Sequence, residues 1–412
     1  MVLSQKLRKY LNDMLKKLSY LVTDYIITFQ ILILSLFVIN SNIHIPCLPA
    51  IQNSFCASEQ LAQISFIVNP FIAILISLPF GILSDIYGRK FFLLSSLFVF
   101  ISGTVLIIES HNIYIYMLGR LLQSLGDGGA ALVSGIIIGD CYKGKEYAKI
   151  QAILSIALAL AWAGAPLLGE MIFVVFGWRG NFVFILIVSL LLSLPLFLWN
   201  EKKSLKKIIS SFANTLHTTK KIMRSMLNAS FLNLTLSQAF PLGMFTAFEF
   251  MMPFIYKTSY GYSVKGTSFA LFIFIFINIA ASLLYRVLIN YAQLKEMFRW
   301  GMYIFFTYLI IGFIYLNNGA EVSESLSYFI FGFLSFSLPF IIISSTAKIV
   351  DSHPLHLGLA LSLLAIIRNA VTTGIPLVSC MASENTFHSF FNVSLIFGII
   401  GLALLFKGLK QF

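Results

Sequence analysis

The chain has 412 residues, 58% of them hydrophobic and only 11% charged, with a formal net charge of +12. No water-soluble fold of this length needs that balance, whereas a bilayer does. The positive charge sits in loops beside apolar runs, not on a basic face interleaved with aromatics, and this excludes nucleic-acid binding.

A helix that crosses a bilayer needs about twenty apolar residues. Inside hydrocarbon its backbone must satisfy itself, so only helices or closed barrels span. The apolar runs here are continuous, not alternating, which selects helices over barrel strands. In chain order the candidate spans are 25–47, 61–84, 91–109, 113–139, 150–176, 180–199, 229–256, 266–289, 298–317, 326–347, 356–381 and 388–407. The expected fold is an all-α integral membrane protein, twelve transmembrane helices in two pseudo-symmetric six-helix halves. A basic segment, 1–24, precedes the first half, 25–199. A central loop, 200–228, leads to the second half, 229–407, and a short tail, 408–412, closes the chain.

Basic residues set the orientation, because Lys and Arg stay on the cytoplasmic side. Lys6, Arg8, Lys9, Lys16 and Lys17 precede span one, and the central loop runs from Lys202 to Arg224. The loops after even spans add Arg89, Lys90, Lys143, Lys145, Lys149, Arg286, Lys295, Arg299 and Lys348. Only Arg179, Lys257 and Lys265 fall on the other side, with Arg120 and Arg368 inside spans. Both termini are therefore expected in the cytoplasm, with 1–20 lying against anionic headgroups. That first segment is not a cleaved signal, since the apolar run behind it is too long. Cys47 and Cys56 both fall near the outer face, within reach of pairing, although small apolar residues at a helix end are the plainer reading. No His or Cys group has metal-ligand spacing, and no metal or cofactor is expected.

Between spans two and three stand Gly81, Asp85, Gly88, Arg89 and Lys90. Gly81 permits close helix contact and Gly88 a tight reversal. Asp85 suits a helix N-terminus across the interface between halves, and Arg89 suits an acid on a neighbouring helix end. This run resembles the signature loop of the major facilitator superfamily. Span four opens Arg120-Leu-Leu-Gln123 and ends at Asp140, similar to the second motif of that superfamily, which makes Asp140 the partner of Arg89. In span five, Gly164, Pro166, Gly169 and Glu170 resemble the antiporter motif, with Ala165 and Glu170 departing from its glycines.

Asn42, His44, Pro46 and Pro49 close span one, and Trp178-Arg179 precede span six. The pattern resembles the bicyclomycin- and chloramphenicol-resistance branch of the drug:proton antiporters, whose members carry an Asp where Asn42 stands. The resemblance implies proton-coupled export of small amphipathic molecules and a place in the bacterial inner membrane.

Gly164-Ala-Pro166 recurs as Gly374-Ile-Pro376, and Pro46 has a counterpart in Pro253. These offsets fit a six-plus-six repeat. Glu249 stands four residues before Pro253, as Asn42 stands before Pro46. The expectation is that proton binding has moved from span one to Glu249 in span seven. Asp127 is the second candidate. Arg120, Gln123 and Asp127 share one helix face, and a charge at this depth persists only beside a wet cavity or a partner. Asp127 is then either a proton site or a structural partner of Arg120. Glu170, nearer the membrane edge, reads as solvated. Arg368 either binds an anionic substrate group, neutralises Glu249, or packs with its head group snorkelled. His44 either titrates or is a hydrogen-bonded structural imidazole.

These residues point to a secondary transporter and not an enzyme, since no catalytic set lies at membrane depth and no phosphate-binding loop is present. Its partners would be lipid, protons and a small-molecule substrate, with Asn42, His44, Arg120, Gln123 and Arg368 facing the cavity. A monomer is expected. The alternative cargo is a defined metabolite or siderophore, and a non-transporting scaffold is the reading of another class.

Overall fold

The computed structural model describes residues 25, 27–44, 47–56, 72, 75–85, 87–198, 227–261, 264–318, 323–354, 356–382 and 387–412. The basic N-terminal segment, most of the central loop, Pro46 and the first part of span two lie outside the described residues. Among the described residues every regular element is a helix. We number these α1 (Ile27–Asn42), α2 (Leu48–Phe55), α3 (Leu75–Asp85), α4 (Arg89–Ile108), α5 (Ile113–Cys141) and α6 (Gly144–Leu198). After the central loop come α7 (Ala229–Tyr260), α8 (Val264–Leu288), α9 (Leu294–Asn318), α10 (Glu324–Ser352), α11 (Leu357–Ala382) and α12 (Phe387–Leu409).

One element differs from the sequence expectation, and one break falls where it was expected. The expected break between spans five and six lies inside α6, whose two helical arms together have 55 residues. At 1.5 Å per residue that is about 80 Å, twice the thickness of a bilayer. The chain turns between the crossings at Gly177, whose φ of 72° is a conformation that L side chains rarely adopt. The difference is α2, a short helix behind span one that the apolar pattern did not separate. Cys47 and Cys56 cap its two ends, about 13 Å apart by helical rise, so they do not pair. Cys47 is instead buried, and its sulfur accepts from Asn181 Nδ2 at 3.1 Å.

Where the ends are polar they are capped. Asn112 accepts from Ile115 N–H at 2.9 Å to start α5, and Ser323 starts α10 in the same way. Arg179 lies over the Trp178 ring and donates to the carbonyls of Ile108 and Ser110, fastening the turn in α6 to the end of α4.

The packing has a direction. One buried cluster draws on both helix sets: Ile136, Tyr147, Ala148 and Ala152 from the first, with Tyr285, Ala347, Leu357 and Leu361 from the second. All of these stand at the end of the bundle that carries the 84–90 loop, here termed the loop end. The other three buried clusters each draw on one set alone. The two sets are thus joined through a shared core at the loop end.

Candidate functional site

At the loop end, Gly88 adopts a φ of 104° and reverses the chain between α3 and α4. The reversal brings Arg89 back over α3. Its guanidinium pairs with Asp85, donates to Ser84 Oγ at 2.7 Å, and through Nε donates to Asp140 Oδ2 at 3.0 Å. One planar cation thereby fixes the ends of α3, α4 and α5 together. Lys90 follows, half-buried, in the first turn of α4. Gly81 meets Gly358 of α11 backbone to backbone. A Cβ on Gly358 would stand 2.6 Å from the Gly81 carbonyl oxygen and 2.7 Å from Asp85 Oδ2. Asp85 therefore rests against the first turn of α11, where unpaired N–H groups favour an anion.

A second contact between the sets lies beside it. Asp351, at the end of α10, accepts from Gly144 N–H, the first residue of α6, at 2.8 Å. Sequence reading passed over Asp351, Ser84 and Gly358. The signal was available for one of them: Asp351 lies 211 residues after Asp140, close to the offset of the Gly-x-Pro repeat.

Toward the far end, α4 and α5 hold a polar network. Arg120 Nη1 donates to Gln123 Oε1 at 2.6 Å, and Gln123 Nε2 donates to Thr104 Oγ1 at 3.0 Å. Arg120 Nη2 stands 3.3 Å from His44 Nε2, and His44 Nδ1 stands 3.3 Å from the Asn40 carbonyl oxygen. Arginine only donates and a carbonyl only accepts. Together these assign the imidazole proton to Nδ1 and make Nε2 the acceptor. Arg120 is 1% exposed and His44 fully buried, so the network is sealed inside the first six helices. The chamber expected beside these two side chains does not open onto them in this state. Asp127, two turns along α5, is also buried and interacts with Arg120 electrostatically. Asn42 is buried too, its amide donating to the Val38 carbonyl of its own helix at 2.8 Å.

The remaining candidates are placed apart. Glu249 is half-buried on α7, next to Phe248, which stacks on Phe331 at 3.5 Å. Arg368 is half-buried on α11. Among the described residues neither makes a hydrogen bond or an ion pair, so Arg368 does not neutralise Glu249 as one expectation had it. Glu170 is exposed near the turn of α6. Gly169 seats α6 against the Ile43 carbonyl, so α6 packs tightly there despite the Glu170 departure from the motif. A side chain on Gly164 would meet nothing, nor would one on Gly374, and Pro166 and Pro376 follow each inside its helix. Among the described residues no group of three or more His, Cys, Asp or Glu side chains is placed to hold a metal.

The chain is 30% identical over 234 residues to the Bacillus subtilis protein described as the uncharacterized MFS-type transporter YdgK, covering 55% of this chain and 56% of that one. The chain thus spans little more than half the length of this curated relative. Two solved structures share the fold at low identity. The human organic anion transporter MFSD10 superposes with a TM-score of 0.71 at 16% identity, over 93% of this chain and 99% of that one. The fucose:proton symporter of Escherichia coli gives 0.71 at 13% identity, over 92% and 98%. The sequence profile of the Major Facilitator Superfamily matches residues 31–375. With the signature loop joined by Arg89 and the twelve-helix fold in place, this chain is a multi-pass membrane protein that belongs to the Major Facilitator Superfamily.

Proposed function

We propose that the protein is a proton-coupled secondary transporter that exports small amphipathic molecules by alternating access. The observation that carries this reading is the one-sided packing of the two helix sets. A shared core closes the loop end, while each of the other buried clusters belongs to one set. Two bodies joined at one end can rock about a central site. With the basic loops in the cytoplasm of a bacterial inner membrane, the described state is shut to the cytoplasm.

Glu249 and Asp127 are the proposed proton sites, with Asn42, His44, Arg120 and Gln123 ordering the interior polar surface that substrate or water reaches as the sets move. A carboxylate without a salt-bridge partner at membrane depth is stable when protonated and needs water when charged. Among the described residues Glu249 fits that description in the second set. The domain division at 199 and 229, and function as a monomer, belong to the same proposal. The test uses proteoliposomes carrying the purified chain. Glu249→Gln and Asp127→Asn are each assayed for uptake driven by a proton gradient and for substrate exchange without one. Loss of driven uptake with exchange retained identifies the coupling residue. Normal uphill transport by both variants rules the coupling assignment out, and absence of exchange by the unmodified chain rules out the transporter reading.

A second reading is supported by Arg368, a cation inside the membrane with no acidic partner among the described residues, and by the fold shared with an organic anion transporter. In it the cargo is a defined anionic metabolite.

A further inference from the structure

Tyr147 stands in the first turn of α6, 1% exposed, in the core that it shares with Leu357, Leu361 and Leu364 of α11. Its hydroxyl oxygen accepts from Gln151 Nε2 at 2.8 Å. The hydroxyl hydrogen is then left to donate. Arg368 follows Ile367, which packs on the same core, and Arg368 and Tyr147 interact electrostatically. The guanidinium sits eleven residues into α11, and helical side chains lean toward the N-terminus of their helix. That lean carries it back toward the level of Tyr147. The acid that acts electrostatically on Tyr147 is Asp351, whose Oδ1 is taken by Gly144 N–H.

The result is a donor-rich corner between helices of different sets: five N–H groups on Arg368, the Tyr147 O–H and the second N–H of Gln151. Among the described residues no carboxylate pairs with Arg368. A cation at this depth calls for water or a counter-charge, and a planar guanidinium matches a carboxylate or sulfonate in a two-bond geometry. We propose that Arg368, Tyr147 and Gln151 form an anion subsite, which holds the carboxylate or sulfonate group of an otherwise apolar substrate between α6 and α11. The proposal rests on the transporter reading and deepens it. An anion held there bridges the two helix sets, so its binding favours the state closed at the loop end.

The experiment uses the full chain in lipid nanodiscs and four probes that share one ring system: naphthalene-2-carboxylate, naphthalene-2-sulfonate, the neutral carboxamide and a naphthyl trimethylammonium cation. Equilibrium binding is measured for the unmodified chain and for Arg368→Gln, Arg368→Lys and Tyr147→Phe. The Phe variant keeps the ring in the core, and thermal melting confirms that each variant is folded. The expected result is at least tenfold tighter binding of the two anions than of the amide or the cation. That preference falls fivefold or more in Arg368→Gln and Tyr147→Phe and is partly kept in Arg368→Lys. Absence of an anion preference, whether no probe binds or all bind alike, overturns the subsite, as does a preference that survives Arg368→Gln. Proteoliposome uptake of the amide and the cation, run in parallel, keeps the two failures apart. Uptake of these without an anion preference removes the subsite and leaves the transporter standing.

Discussion

Asp351 of α10 accepts a 2.8 Å hydrogen bond from the backbone N–H of Gly144, the first residue of α6. Asp85 of α3 rests in the matching way against Gly358 in the first turn of α11. Each helix set therefore presents a carboxylate to a helix N-terminus of the other, where the backbone dipole favours an anion. The second set lacks the signature glycines in its own loop at 286–299, and its acid comes from the end of α10. Replacing Asp351 with Ala should weaken closure at the loop end. A cysteine introduced at the buried position Ala360 should then react about threefold to fivefold faster with a water-soluble maleimide, in line with the modest worth of an anion at a helix end. An unchanged rate would show that Asp351 does not hold the sets together.

Gly358→Ala tests the same closure by steric means. The new methyl would meet the Gly81 carbonyl and the Asp85 carboxylate closer than atoms normally approach. Because its neighbours there are backbone and a paired acid, relief must come from separating α3 and α11. Labelling at the same cysteine should rise more than in Asp351→Ala, and substrate exchange should slow. Wild-type labelling and exchange in this variant would mean that the contact yields without cost.

Arg89→Ala should destabilise the fold as well as the closure. It leaves Asp85 and Asp140 facing one another with no cation between them. Breaking a fully buried pair costs about 3–5 kcal/mol. Asp140 is partly solvated, so about 2 kcal/mol is expected, read as a fall in melting temperature. Arg89→Lys should recover only part of it, because an ammonium cannot address three oxygens in the planar fork of a guanidinium. Full recovery by Lys would show that charge alone matters.

Gln123 bridges Arg120 to Thr104 inside the sealed network. Gln123→Leu should cost about 2–3 kcal/mol, since it leaves buried donors of a cation unsatisfied. Thr104→Val should cost about 1 kcal/mol. The double variant should cost less than the sum of the two, because the groups share one chain of bonds. Strict additivity in melting experiments would separate Thr104 from the network.

Much of the fold was legible from one property. Runs of twenty apolar residues can only be helices in hydrocarbon, so the number and order of the spans followed from hydropathy without any knowledge of contacts. The signature loop was legible for a similar reason. Gly88 and Arg89 work through local geometry, and the partner acid Asp140 closes a helix just as the motif requires. The break at 177–179 was legible as a gap between apolar runs, and Gly177 makes the turn there; the helix α2 was not, because hydropathy reports burial in lipid and is silent about a short helix behind a span.

The interior charges divide along the same line. That Arg120, Asp127, Glu249 and Arg368 must each find a partner or water was a consequence of membrane depth alone. What each met depended on groups far away in sequence: His44 beside Arg120, Thr104 holding Gln123 for it, and Tyr147 acting electrostatically on Arg368 across the interface. The amino-acid order by itself determined a membrane-spanning helical bundle with costly charges inside it, since the transfer of residues into hydrocarbon is a local quantity. Only the tertiary structure decided that the two helix sets close on one another at the loop end, and that Asp351, not a second signature loop, presents the acid there. Those outcomes depend on how distant helix ends meet, and no single stretch of chain carries that information.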